Sequence, residues 1–313
     1  MTRSAKLFYV VALIFGLAAP FLGIYPVFMM KLLCFAMFAC AFNLLLGFAG
    51  MLSFGHAAYF GFAAYITSWV TAALGWPTIP GILAGMACAA LLGLVIGYLA
   101  IRRHGIYFAM ITLALAQVVY FVCLQAPFTG GENGIQGVPR GSLFGIVSLQ
   151  SDTTMYYFVL ALFVATYLFI QRIVHSPFGQ ILKAIRENEP RAISLGYDVS
   201  RFKLMAFVLS TTLAGLAGSL KALTLSLASL SDVLQETSGE VVLMTLLGGT
   251  GTFFGPVVGA SIVVTLQEYL SDSVGEWVKV IIGAIFVACV MFFRKGIVGE
   301  VEAWFKRRNA RQT

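Results

Sequence analysis

The sequence predicts an all-α, polytopic helical membrane protein with about eight to ten transmembrane helices. Three observations carry that reading. Of 313 residues, 60% are hydrophobic and only 11% charged, and the mean hydropathy is +0.92, so there is too little polar surface to coat a water-soluble globule. Apolar runs of about 18 residues or more recur along the whole length, as a helix needs to cross the hydrocarbon core. Alternating segments of roughly 10 residues, the mark of an outer-membrane barrel, are absent.

The expected spans lie at 7–27, 31–49, 57–75, 79–101, 106–126, 154–174 and 203–229, then as a pair within 240–270, and last at 277–294. The run from Leu7 is too long for a cleavable signal and lacks a small-residue cleavage site before Pro20, so it reads as the first span. One transmembrane domain is expected over 1–313, with an external loop at 127–153, a cytoplasmic loop at 175–202 and a basic cytoplasmic tail at 295–313.

Charge sets the orientation. Arg3, Lys6, Arg102, Arg103, the six basic residues from Arg172 to Lys203 and the six from Arg294 to Arg311 share one side, 16 of the 20 Lys and Arg residues. Basic residues collect at cytoplasmic membrane ends, so the net charge of +7 reflects topology rather than nucleic-acid binding, and both termini lie inside. Lys31, Arg140, Lys221 and Lys279 fall outside this set. Lys221 is the sole deep charge and is expected to snorkel outward.

Parity then constrains 240–270. The loops at 229–240 and 271–277 are both external, so the chain must enter and return within ~30 residues, against ~20 for one full span. A pair of short or re-entrant helices follows, turning around GGTGTFFGP at 248–256, where glycines permit a tight turn and Pro256 can open the returning helix. A second break, GFAGMLSFGHAAYFG at 47–61, is punctuated by glycine and carries Ser53 and His56. Irregular backbone at membrane depth persists only beside protein or a water-filled path. The candidate lining of such a path is Asn43, Ser53, His56, Thr112, Gln117, Gly248, Thr250 and Thr252. The bland alternative for the polar members is helix–helix hydrogen bonding, the usual role of neutral polar groups in spans. For His56 it is satisfaction of loop backbone.

Enzymatic chemistry finds little footing. GGTGTFFG lacks the Gly-Lys-Ser/Thr ending of a phosphate loop and follows no strand. The three histidines are scattered, and the five cysteines sit in apolar runs without metal-ligand spacing. No Asp or Glu occupies a span centre, where an ion-coupled carrier usually keeps one. Energy for uphill transport must then come from a partner.

The stretch RENEPRAISLG at 186–196 answers that need. SPFGQILKAIR forms one helix, which Pro190 ends by forcing Glu189 from the α region. Pro190 then suits the first helical position of a short second helix, with Asn188 or Glu189 as cap and Gly196 as stop. Ala192, Ile193 and Leu195 give it a small apolar face. It is either an amphipathic helix resting on headgroups or a knob that fits a groove on a soluble motor subunit.

These stretches, with RRHGIYFAMITLALAQ at 102–117 and LLGGTGTFFGPVVGA at 246–260, resemble the permease family of branched-chain amino-acid ABC transporters, specifically its LivM-type subunits, over roughly 30–295. The resemblance implies that the ENEPRAISLG loop is the counterpart of the EAA motif that docks on the ATPase, with Glu189, Ala192 and Gly196 on the pattern. Pro190 and Arg191 depart from it, and the trailing Ile-x-Leu-Pro is missing. The expected docking residues are Glu189, Pro190, Arg191, Ala192, Ile193, Leu195 and Gly196.

It further implies a bacterial inner-membrane pore shared with a second homologous permease subunit, two cytosolic ATPases that hold the ATP and Mg, and a periplasmic binding protein. No cofactor or metal is expected on this chain, and it is not expected to be an enzyme. The expected cargo is a branched-chain or related amino acid. A urea or short-amide permease of the same family is the alternative, and an ATP-independent secondary carrier a more distant one.

Overall fold

The computed structural model describes residues 25–143, 147–292 and 296–300, together with Gly16, Pro20 and Gly23. The expected first span, 7–27, and the basic tail, 295–313, lie largely outside these residues. The helices are α1 (Pro26–Asn43), α2 (His56–Ala72), α3 (Thr78–Ala100), α4 (Ile106–Gln125), α5 (Asp152–His175), α6 (Pro177–Glu187), α7 (Glu189–Ser194), α8 (Val199–Leu225), α9 (Gln235–Gly248), α10 (Gly255–Val274) and α11 (Val278–Phe292). Four two-residue strands are the only extended pairings among the described residues.

Pro26 stands in the first turn of α1, where its missing N–H is no loss, so residues 26–27 begin the second element instead of closing the first. α1 continues into a π-helical turn, Leu44–Phe48. Among the described residues, five helices are long and apolar enough to cross a membrane, and they divide by burial: the windows of α1 and α8 are 72% buried, those of α3, α4 and α5 only 28–33%. The bundle is therefore built around α1 and α8, with α2 and α3 packed on α8, and α5 and α10 on α1.

α3 shows how these helices approach so closely. Gly81, Gly85, Ala89, Gly93 and Gly97 recur every four residues and form a stripe of small side chains facing α2 and α8. A Cβ on Gly85 would lie 2.9 Å from the Ala63 carbonyl oxygen, and one on Gly97 2.8 Å from the Phe207 ring. Across this seam the Thr67 hydroxyl donates to Ser219 Oγ at 2.7 Å. The opposite face of α3, with Leu83, Leu91, Leu94 and Tyr98, is exposed, as a bilayer-facing surface should be. Gly93→Val must push α8 away at Thr211, whose Cβ would stand 2.8 Å from the new Cβ. We expect a loss of about 1–3 kcal/mol, seen as a lower unfolding temperature in detergent, while Leu94→Ala on the outer face has a smaller effect.

The helix pair expected within 240–270 is present, with a correction to its lengths. α9 has 14 residues, roughly 21 Å at 1.5 Å per residue, short of a full crossing. α10 has 20 and is long enough to span. The turn between them is 249–254, and the two helices touch backbone to backbone at Gly248, Gly255 and Gly259.

The loop at 127–153 caps the bundle. β1 (Ile135–Gln136) pairs antiparallel with β4 (Leu227–Ala228), and β2 (Ser142–Leu143) with β3 (Val147–Ser148). Val138 and Leu149 are buried, and Arg140 donates to the Thr224 carbonyl at 2.9 Å.

Lys221 overturns the snorkelling expectation. It is 6% exposed and donates to both carboxylate oxygens of Asp232 at 2.7 Å. Asp232, 5% exposed, lies in the loop after α8, which folds back over the helix end and brings the counter-ion inward. Lys31 pairs with Glu268 at 2.8 Å and Arg140 with Asp152. Three of the four basic residues outside the main basic set are thus neutralised locally by an acid.

Candidate functional site

The 176–198 segment is shaped by three successive caps. Ser176 Oγ accepts from the Gly179 N–H at 3.4 Å and Pro177 stands in the first turn of α6. On α6, Leu182 and Ile185 turn inward, the i, i+3 spacing of a buried helical stripe. The chain then breaks at Asn188, whose side chain accepts from the Arg191 N–H at 3.1 Å, so Asn188 and not Glu189 caps α7. Pro190 occupies the second helical position, one beyond the expected place. α7 ends in a Schellman motif: Gly196, at φ +86°, donates to Ile193 O at 2.9 Å, and Tyr197 to Ala192 O at 3.2 Å. Asp198 caps α8 by accepting from the Arg201 N–H at 3.2 Å.

The expected docking residues separate into an inward group, an outward group and Gly196. Ala192 is buried against Ile185 and Val199, with Ile181 and Phe202 at the edge. Glu189 is held internally, 2.8 Å from Lys203 Nζ at the base of α8 and 3.6 Å from His104 in the α3–α4 turn. These two fasten α7 to the bundle. Pro190 and Arg191 are exposed, and Ile193 and Leu195 present apolar surface at 58% and 69% exposure. Gly196 contributes conformation, since nothing stands within 4 Å of where its Cβ would be.

Behind this knob the two backbone breaks meet. Asn43, at the end of α1, donates from Nδ2 to the Thr252 carbonyl at 2.9 Å and accepts the Gly251 N–H on Oδ1 at 3.0 Å. Thr252 Oγ1 in turn donates to Gly249 O at 2.8 Å and accepts from the Gly255 N–H at 3.0 Å, which braces the turn. Gly251 sits at φ +75°. Phe253 lies 5.5 Å from the Phe48 ring and stacks on His175 at 5.1 Å.

Arg186, near the end of α6, ties the knob to both breaks. Its guanidinium donates to the Gly47 carbonyl in the π-turn. Its Cγ lies where a Gly50 side chain would begin, 2.8 Å from that Cβ position. Its Nη1 would stand 3.2 Å from a Cβ on Gly251. One side chain from the outer segment thus touches residues from both irregular stretches.

Of the remaining path candidates, Ser53, His56 and Thr112 are engaged within the chain. Ser53 Oγ accepts from the Gly55 N–H at 3.3 Å, and Gly55 packs on the Thr112 carbonyl. Thr112 Oγ1 donates to Ala109 O at 2.9 Å. His56 Nε2 bonds Ser210 Oγ at 2.9 Å, and Ser210 donates to Ala41 O at 2.6 Å. The His56 ring sits among Phe42, Tyr59 and Phe207. Asn43, Ser53, His56 and Thr112 are at most 3% exposed. Gly248 is buried, while Thr250 and Thr252 are half-buried, and of these three Thr252 bonds Asn43. Gln117 is half-buried on α4, further along that helix than Thr112.

Sequence reasoning missed Arg186, Lys203, His104 and Ser210. Arg186 had one local signal: it follows Leu182 by four residues and so lies near the buried stripe of α6. His104 and Ser210 act through partners far away in the sequence, and Lys203 through Glu189 on the preceding helix.

Apolar helices of membrane-crossing length, packed around two joined backbone breaks, define a multi-pass helical membrane protein. The chain belongs to the family described as "Branched-chain amino acid transport system / permease component", whose profile matches residues 25–290. It is 27% identical to the high-affinity branched-chain amino acid transport system permease protein LivM of Escherichia coli, over 98% of this chain and 78% of that protein. The LivM protein of Salmonella typhimurium is 28% identical over 95% of this chain and 76% of its own length. A probable branched-chain amino acid transport permease protein LivH of Methanocaldococcus jannaschii is 27% identical over half of each chain. No solved structure matches the chain.

Proposed function

We propose that the chain is the LivM-type transmembrane permease subunit of an ATP-binding-cassette importer that carries branched-chain amino acids across a bacterial inner membrane. The observation that carries this reading is the position of Arg186, which joins the α6–α7 segment to Gly47 and Gly251. A push on α7 is transmitted to both breaks. The pore is shared with a second, homologous permease. Two cytosolic ATPases bind the ATP and Mg and receive Ile193 and Leu195 in a groove. A periplasmic binding protein delivers the cargo, and this chain holds no cofactor of its own.

Both termini and the α6–α7 segment face the cytoplasm. Two features support that orientation. The α3–α4 turn, with Arg102 and Arg103, and Lys203 gather at the α7 end. Lys221 lies 18 residues further along α8, roughly 27 Å away, and is paired with an acid.

The path residues take up their role when the breaks part. Asn43, Thr250, Thr252 and Gly248 then line an opening that the Asn43 bonds to 251–252 now close. Ser53, His56, Thr112 and Gln117 continue the same polar track toward α4 and α8.

The test is uptake of labelled leucine into proteoliposomes holding the chain with its partner permease, ATPases and binding protein. Uptake is expected to require ATP and to resist competition by excess urea. The double variant Ile193→Asp/Leu195→Asp removes two apolar contacts worth about 3–6 kcal/mol together, so uptake should fall more than a hundredfold with the chain still folded. Ala192 is a poor probe, because a charge there disrupts the seat of α7 itself. Leucine uptake without the ATPases, or at full rate in the double variant, would refute the proposal.

A further inference from the structure

A cleft of about 410 Å³ opens between the extended stretch 49–54, the α3–α4 turn and the α6–α7 junction. Its apolar lining includes Met51, Leu52, Phe54, Ile101 and Phe108. Arg103, Arg186 and Lys203 also line it, with Glu189 and His104, so the three basic side chains outnumber the one carboxylate. Glu189 is already matched by Lys203 at 2.8 Å. Arg103 is exposed, and no described residue engages its guanidinium.

The cleft also continues onto a surface of a particular kind. Ile106, Tyr107 and Met110, between 60% and 78% exposed, run from its edge along the outer side of α4. Just before the turn, Arg102 lies 4.8 Å above the Tyr98 ring, the pairing of an aromatic and a cation found at headgroup depth.

We infer that this cleft seats the headgroup of an anionic phospholipid, with its phosphate on Arg103 and the free N–H groups of Arg186 and its acyl chains along Ile106, Tyr107 and Met110. Three features select that ligand class. An excess of positive charge favours a net anion over a zwitterionic amino acid. The volume exceeds that of inorganic phosphate several times over, and the apolar part of the lining would leave a free ion against carbon. The exposed strip leads into the bilayer, where acyl chains already are. Because the site adjoins Arg186 and Glu189, an occupied cleft stiffens the junction between α7 and the first break.

The experiment titrates the full chain in detergent micelles with phosphatidylglycerol, phosphatidylcholine, inorganic phosphate and leucine, reading the unfolding temperature. Phosphatidylglycerol alone is expected to raise it saturably. Arg103→Gln should weaken that apparent affinity about tenfold, the loss of one charge-assisted contact, and Arg103→Lys should restore most of it. An equal response to phosphatidylcholine, the same shift with phosphate alone, displacement of the lipid by leucine, or an unchanged Arg103→Gln would each overturn the assignment. Native mass spectrometry of the unaltered chain is a second reading that needs no variant: retention of phosphatidylglycerol over phosphatidylcholine is expected, and equal retention refutes it.

Discussion

Replacing Arg186 with methionine is expected to uncouple the transporter: ATP hydrolysis by the assembled complex continues while uptake falls roughly ten- to a hundredfold. The magnitude follows from a hydrogen bond between a charged donor and a buried carbonyl, about 1.5–3 kcal/mol, here the bond to Gly47. If the α6–α7 segment moves without this bond, neither the π-turn at 44–48 nor the turn at 249–254 is obliged to follow. Insertion should be unaffected, because Leu182, Ile185 and Ala192 still seat the segment. Arg186→Lys should recover only part of the function, since a single ammonium cannot both reach Gly47 and lie beside Gly251 as a planar fork can. The measurement is the ratio of leucine imported to ATP hydrolysed. A purely structural role would lower both together, and an unchanged ratio would remove Arg186 from the mechanism.

Breaking the Lys221–Asp232 pair has the largest expected effect on stability. Lys221→Met leaves a carboxylate buried without its cation, and Asp232→Asn leaves an ammonium without its anion. Each should cost about 3–5 kcal/mol, enough to remove most folded protein from the membrane. The double variant Lys221→Met/Asp232→Leu buries no charge and should regain most of that loss, because a buried ion pair gives little net stability over well-packed apolar side chains. Thermal unfolding of the three variants in one detergent gives the coupling energy directly. Singles as stable as the unaltered chain, or a double no better than either single, would contradict this account of the pair.

Much of the bundle was legible because apolar runs end where charge or proline intervenes. α3, α4 and α5 begin and end within two residues of their expected limits, and α8 is displaced by four. The α9–α10 hairpin was legible from parity and glycine density together, although neither predicts that α9 is the shorter arm. The knob at 189–196 was legible from its caps, which are local.

What stayed hidden depends on partners that belong to other elements of the chain. Lys221 read as a lone cation because its partner lies in a loop whose return over α8 leaves no periodic trace. Arg186 reaches Gly47 across 139 positions, and Lys203 meets Glu189 from the next helix. The π-turn at 44–48 carries no pattern that distinguishes it from a continuing helix. Glu189 fitted the docking pattern by type, yet its carboxylate is held inside the chain.

The six residues of α7 are too few to stay helical by themselves, since isolated helices below about 12–15 residues are marginal in water. Its form is borrowed from the seat of Ala192, the grip on Glu189 and the closing bonds at Gly196. A peptide cut from this region would be coil and a feeble competitor. On the proposed docking role, a misassembled chain would present no formed α7 for a motor subunit to grasp, which would confine the coupling to subunits that are already correctly built.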